Sequence, residues 1–136
     1  MEHIAELGTP ILERLLNGDM KLTMRFSRSS NTPYDQVNED DVIYFKSPDG
    51  YAVARAKVAK VERISDLTPD RVMELVEKYK DETYISPLAL EKQKYSKYVT
   101  LIWFSDLHEI RPFKVKLPNG ANSKWLTVDD VNKYRY

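Results

Sequence analysis

A period of two in the hydrophobic pattern constrains this chain most. Residues 20 to 26, MKLTMRF, alternate Met20, Leu22, Met24 and Phe26 with Lys21, Thr23 and Arg25. Residues 51 to 64, YAVARAKVAKVERI, set Ala52, Ala54, Ala56 and Val58 against Val53, Arg55, Lys57 and Ala59. Residues 111 to 117, RPFKVKL, place Phe113, Val115 and Leu117 among basic neighbours. Successive side chains of a strand point to opposite faces, so each segment predicts a strand with one buried face. Residues 41 to 47, DVIYFKS, predict a further strand, turned by SPDG at 47 to 50. Residues 97 to 110, KYVTLIWFSDLHEI, form the most apolar run and are expected at the centre of the sheet. PNG at 118 to 120 reads as a turn.

Helical spacing is confined to three places. Residues 9 to 17, TPILERLLN, carry an apolar stripe of Ile11, Leu12, Leu15 and Leu16, with Thr9 as expected N-cap, Pro10 in the first turn and Gly18 at the exit. In SDLTPDRVMELVEKY, Thr68 caps, Pro69 starts, and Val72, Met73, Leu75 and Val76 have helical spacing. A shorter helix is expected over 86 to 95, and a closing helix or tail over 128 to 134. The predicted order is helix, three strands, two helices, two strands. Short strands with hairpin turns and no βαβ alternation indicate an α+β fold built on a small, partly closed, mostly antiparallel barrel with packed helices. At 136 residues, with no repeat or linker, the chain reads as one domain over 1–136.

Composition narrows the chemistry. There is no cysteine, which removes disulfides, thiolate chemistry and most zinc sites, and fits a reducing, cytoplasmic setting. No apolar run approaches the roughly 18 residues of a membrane span, and no signal-peptide core is visible. His3 and His108 have no ligand-spaced partners, so neither metal nor cofactor is expected. No nucleophile elbow or phosphate loop is present, and Asp40, Asp41 and Asp66 read as exposed carboxylates. The formal net charge is zero, yet its distribution is uneven. From Lys92 to Lys124, seven basic residues face only Asp106 and Glu109, and Lys21, Arg25 and Arg28 lie in a stretch without an acid.

Lys21, Thr23 and Arg25 fall on one face of their strand, followed by the loop of Ser27, Arg28, Ser29, Ser30 and Asn31. That face reads either as the solvated side of an amphipathic strand or as a contact surface for phosphate or a base edge. Arginine brings a rigid fork of donors and lysine a point charge. The loop is a binding loop or a surface loop. Tyr34 in TPYDQV is a stacking ring or a loop anchor. Trp125, beside Lys124 in NSKWLTV, is a stacking platform or a packing residue of the C-terminal segment. Trp103, in the most apolar strand, reads as core. Tyrosines interleaved with lysines, as in EKQKYSKY, suit an RNA surface and an ordinary amphipathic one alike.

Taken together, the helix ending at Gly18, the strand running to Arg25 seven residues on, the polar loop, DDVIYF, the alternating strand and DLTPDRV at 66 to 72 resemble the ASCH domains, relatives of the EVE and YTH domains in the PUA-like superfamily. The likeness spans roughly residues 9 to 110. Thr23 stands where these domains often carry threonine, and Asp41 takes the place of the aspartate of their Gly-Asp pair. Two positions depart from the pattern. Met20 occupies the motif lysine position, with Lys21 one residue on, and Asp40 replaces the glycine. The resemblance implies a PUA-like barrel that binds RNA, or a modified or unstacked nucleotide, at the barrel mouth. Lys21, Thr23, Arg25, Ser27, Arg28 and Asn31 would contact it, with Lys124 nearby and Trp125 or Tyr34 stacking. It also implies an alternative, an amidohydrolase of a modified nucleoside using Lys21, Thr23 and Glu74. That reading needs Lys21 rather than Met20 to face the pocket, because a shift of one residue turns a side chain to the opposite face. A protein-interaction domain is the third reading, favoured by zero net charge.

Overall fold

The computed structural model describes residues 1–30, 34–118 and 124–136. Six strands form one sheet. They are β1 (Glu2–Glu6), β2 (Leu22–Ser27), β3 (Val42–Lys46), β4 (Tyr51–Ile64), β5 (Tyr98–Lys114) and β6 (Trp125–Val128). Three helices, α1 (Thr9–Leu16), α2 (Pro69–Lys78) and α3 (Pro87–Gln93), and a closing 3₁₀ turn (Val131–Tyr134) complete the described elements. The strand order is β2-β5-β4-β3-β1-β6, and every pairing is antiparallel except β1 with β3.

Strand β4 keeps the face set by its alternation, with Ala52, Ala54, Ala56 and Val58 buried. Helix α2 starts where its sequence says, the Thr68 hydroxyl accepting from the Arg71 N–H. In α1 the expected cap is corrected. Thr9 is already helical and Gly8 is the N-cap, its carbonyl receiving the Ile11 and Leu12 N–H groups. At the far end Gly18 adopts φ +82, and the bonds Gly18 N–H to Leu15 O and Asp19 N–H to Arg14 O close a Schellman motif.

Three further corrections concern strands. Strand β1 has no alternation to betray it, because His3, Ile4 and Ala5 are all buried between the barrel interior and the C-terminal turn. Residues 97–110 and 111–117 are not two strands but the single β5. Pro112 is accommodated where the β4–β5 register shifts between Ala52 and Ala54 and residues 110–112 go unpaired. A further strand, β6, unmarked in the sequence, begins at Trp125, which pairs with Ala5.

The sheet curls so that its two edges, β2 and β6, come together. The Arg25 guanidinium lies 5.2 Å from the centroid of the Trp125 ring. The interior holds Ala5, Leu15, Ile43, Phe45, Ala54 and Ile102. On the outside, α2 lays Val72 and Leu75 on Leu22, Val99 and Leu101, and the C-terminal turn lays Val131 on Ile4 and Val128. Trp103, read as core, is only partly buried, beside Tyr79 and Lys60. No described helix is long and apolar enough to cross a membrane.

Candidate functional site

Where β2 and β6 meet, the barrel opens into a cavity of about 480 Å³. Its walls come from Glu6 at the end of β1, from Gly8 at the start of α1, from Met20, Thr23, Arg25 and Ser27 on and before β2, from Tyr84 and Gln93 around α3, and from Lys124 and Trp125. The alternation of β2 explains the polar side. Leu22 packs under α2, so Thr23 and Arg25 take the opposite, inward face.

Arg25 is an unusual cation. Among the described residues its buried Nε has no hydrogen-bond partner, and its guanidinium makes a single long hydrogen bond, 3.4 Å to the Glu6 carbonyl. The residue retains some accessible surface, which is cavity wall, while its head group is packed away from bulk solvent. Burial pushes its pKa down to about 10, against the attraction of Glu6, and the group stays charged at neutral pH. Directly opposite on β5, Thr100 is fully buried, and its hydroxyl also lacks a partner among the described residues. One cross-strand pair thus carries two unmet polar groups, a condition that native interiors rarely leave without a water or ligand to answer it.

Glu6 does not neutralise Arg25 directly. Its carboxylate accepts from Lys46 at 3.0 Å and from Lys124 at 2.7 Å. Burial acts to raise the Glu6 pKa, but the hydrogen bonds from Lys124 and Lys46 outweigh it and hold the group below its ordinary value. An ionised, doubly held carboxylate is a fixed acceptor and not a proton donor.

Trp125 is positioned from behind. Its Nε1–H donates to His3 Nδ1 at 3.2 Å. An indole nitrogen only donates, so Nδ1 must be bare and the imidazole proton must sit on Nε2. That proton is donated to Asp41 at 2.8 Å, and the Thr127 hydroxyl lies 2.9 Å from Nδ1. Burial lowers the His3 pKa more than the Asp41 hydrogen bond and charge raise it, so the ring is neutral. Asp41 is itself held low. Burial would raise it, and bonds from His3, the Asn38 N–H and the Met1 amino group prevail. Neither the strand nor this buried chain was visible in the sequence, where His3 appeared as an isolated histidine.

Of the residues expected at the site, Thr23, Arg25, Ser27, Lys124 and Trp125 line the cavity. Lys21 does not. It is exposed just before β2, while Met20 is buried and faces inward. Glu74 lies on α2 in a surface pair with Arg71 at 2.7 Å, outside the cavity lining. Lys21, Thr23 and Glu74 are therefore not brought together. Arg28 is exposed beyond the rim. Tyr34 packs edge-on against Tyr98, and its carbonyl accepts from Arg63, an anchor for its loop and not a wall of the cavity. Trp125 is only 2% exposed, so it offers an edge or corner as wall rather than an open stacking face. Asn31 lies outside the described residues. Glu6, Tyr84 and Gln93 join the site without a sequence signal. No group of three metal-ligating side chains occurs among the described residues.

No family model matches this sequence, and no curated protein is similar to it at a significant level. Solved structures do match. The chain is similar to a point variant of the ASCH protein of Zymomonas mobilis, with a TM-score of 0.72 at 13% identity, over 97% of this chain and 91% of the other. It is similar to the unmodified ASCH protein of the same organism with a TM-score of 0.61 at 17% identity, over 82% and 71% of the two chains. Identities this low speak to architecture alone, and on architecture the match, the curled mostly antiparallel sheet and the helix placement agree: this chain has the α+β, PUA-like barrel fold of the ASCH domains.

Proposed function

We propose that the cavity receives one unstacked nucleobase of a single-stranded RNA. The observation that carries this reading is Arg25, a cavity-lining residue whose guanidinium makes one long hydrogen bond and whose buried Nε has no acceptor among the described residues. A base supplies the missing acceptor through a ring nitrogen or carbonyl oxygen in the plane of the guanidinium fork. Glu6 offers a fixed acceptor for an exocyclic amine, and Thr23 a hydroxyl that serves either way. Leu7, Ile11, Met20 and Tyr84 supply the apolar and aromatic wall that a planar heterocycle needs. The volume lies within the range of small-ligand sites.

The amidohydrolase reading has less support. The residues it calls on, Lys21 and Glu74, lie outside the cavity, and the amine and carboxylate that line it beside Thr23, Lys124 and Glu6, are paired with each other.

The test is binding of a labelled short single-stranded RNA to wild type and to Arg25→Met, which keeps the bulk of the stem and removes the donors. Loss of charge-assisted hydrogen bonds at a buried site costs about 1.5–3 kcal/mol, so affinity should fall roughly 10- to 150-fold. Equal affinity of the two proteins would overturn the assignment of Arg25 as the base-reading group.

A further inference from the structure

The basic bias of residues 92 to 124 is not used by the cavity, apart from Lys124. Other cations gather on the outer face of the barrel beside the C-terminal segment. There Arg55 stands over the Tyr44 ring at 5.8 Å, Tyr44 meets Phe113 edge-on at 6.0 Å, and Arg135 caps Phe113 at 4.2 Å. The result is a continuous stack of cation, ring, ring and cation. The backbone links fix it: Tyr44 pairs with Arg55 across β3 and β4, and Val115 bridges to Arg135. Next to it, Lys114 and Lys116 hold their amines 5.2 and 5.9 Å from the ring of Tyr136.

These cations are held by rings and not by carboxylates, and the difference matters. An ion pair positions a charge and cancels it. A ring positions a charge and leaves its field intact. Some cations elsewhere on the surface are cancelled locally: Arg71 by Glu74, Lys80 by Glu77 and Lys94 by Glu91. Asp49 is within electrostatic reach of Lys114, but its carboxylate is turned into the 47–51 turn, accepting from Ser47 and from the Tyr51 N–H. Arg55, Arg135, Lys114 and Lys116 thus gather around Tyr44, Phe113 and Tyr136 with no ion pair among the described residues, as Arg14, Lys60 and Lys78 are ring-held elsewhere.

We propose that this face, centred on Arg55, Lys114, Lys116 and Arg135, binds the phosphodiester backbone of the same RNA strand whose base enters the cavity. The inference rests on the RNA reading above but on separate residues. Phosphate oxygens complement the uncancelled cations, and ring-held side chains lose little freedom when they engage. The cavity then supplies selectivity, and the outer face supplies salt-sensitive affinity.

The experiment measures the affinity of one short single-stranded RNA at two salt concentrations for four proteins: wild type, Arg25→Met, Lys114→Ala/Lys116→Ala and Arg55→Ala/Arg135→Ala. The lysine pair is exposed, so it tests the face even if loss of the stacked arginines disturbs folding. Each phosphate of a single strand that is no longer neutralised lowers the log–log salt slope by about 0.7, so each double variant should lower it by about 1.4. Arg25→Met should weaken binding and change the slope less. If RNA binds and both double variants keep the wild-type slope, the outer-face proposal is overturned and the cavity reading stands. If the double variants lose slope while Arg25→Met binds like wild type, the outer face stands and the cavity reading fails. Absence of RNA binding at low salt overturns both.

Discussion

Asp41→Asn is the sharpest probe of the buried chain behind Trp125, because it changes charge with almost no change of shape. In the wild type one carboxylate oxygen accepts from His3 Nε2 at 2.8 Å and the Asn38 N–H at 2.9 Å, and the other faces the Met1 amine at 3.2 Å. The best rotamer of asparagine keeps its oxygen on His3 and Asn38 and turns its amide nitrogen toward the amine. Two charge-assisted bonds then become neutral ones, a loss of about 1 kcal/mol each, and the half-exposed Met1 amine loses its acceptor at small further cost, so the total is about 2 kcal/mol or slightly more. The unfolding entropy of a chain of 136 residues is about 0.29 kcal/mol per kelvin at its midpoint, so Tm should fall by about 7 °C. Thermal melts followed by circular dichroism across pH supply the assay. The folded-state pKa values of His3 and Asp41 are both lowered, so both groups bind protons less readily in the native state than in the unfolded chain. Their stability is fully present above the ordinary values, 6.5 for His and 3.8 for Asp, and is lost as pH falls through the lowered ones. The variant should therefore trail the wild type at neutral pH and converge with it once Asp41 is protonated. A Tm within about 2 °C of wild type at neutral pH, less than a third of the shift expected from the unfolding entropy, would refute the reasoning. So would a gap that persists unchanged into acid.

Three further outcomes follow from particular side chains. Glu6→Gln leaves the Lys46 ammonium, only 4% exposed, without its carboxylate and should cost about 3 kcal/mol, whereas Lys46→Met leaves Glu6 with Lys124 and should cost less. Denaturant titrations that reverse this order would contradict the assignment of Glu6 as the shared partner. Gly18→Ala should cost about 1–2 kcal/mol purely through its φ of +82, since an added Cβ meets nothing within 4 Å, and an unchanged denaturation midpoint would contradict the Schellman motif. Glu74→Gln should leave RNA affinity unchanged, because that carboxylate sits on α2 beside Arg71, and a loss of affinity would contradict its placement outside the site.

What the sequence disclosed, it disclosed through periodicity and caps. The alternation of 51 to 64 gave the buried face of β4, and Thr68 marked the start of α2 because its hydroxyl satisfies a first-turn N–H group. What stayed hidden was tertiary. Strand β1 is buried on both faces, so it shows no period and its histidine reads as chance. The merging of two expected strands into β5 depends on a bulge that lets Pro112 sit without a ladder partner. At the site, alternation placed Thr23 and Arg25 on one face but could not say that the face is the inside of a barrel. Lys21 was grouped with them, and it leaves the cavity because β2 begins only at Leu22 and Met20 turns inward ahead of it. Trp125 and Glu6 are more than a hundred residues apart, and only the meeting of β2 with the β1–β6 edge brings both to Arg25.

The most direct test of the central claim is the emission of Trp125 in a Trp103→Phe protein, where it is the sole tryptophan, during titration with single-stranded RNA. If a base enters the cavity, emission must change saturably along with RNA binding, and the change must disappear in the Arg25→Met version. RNA binding that leaves Trp125 emission untouched would place the nucleic acid elsewhere and contradict the claim.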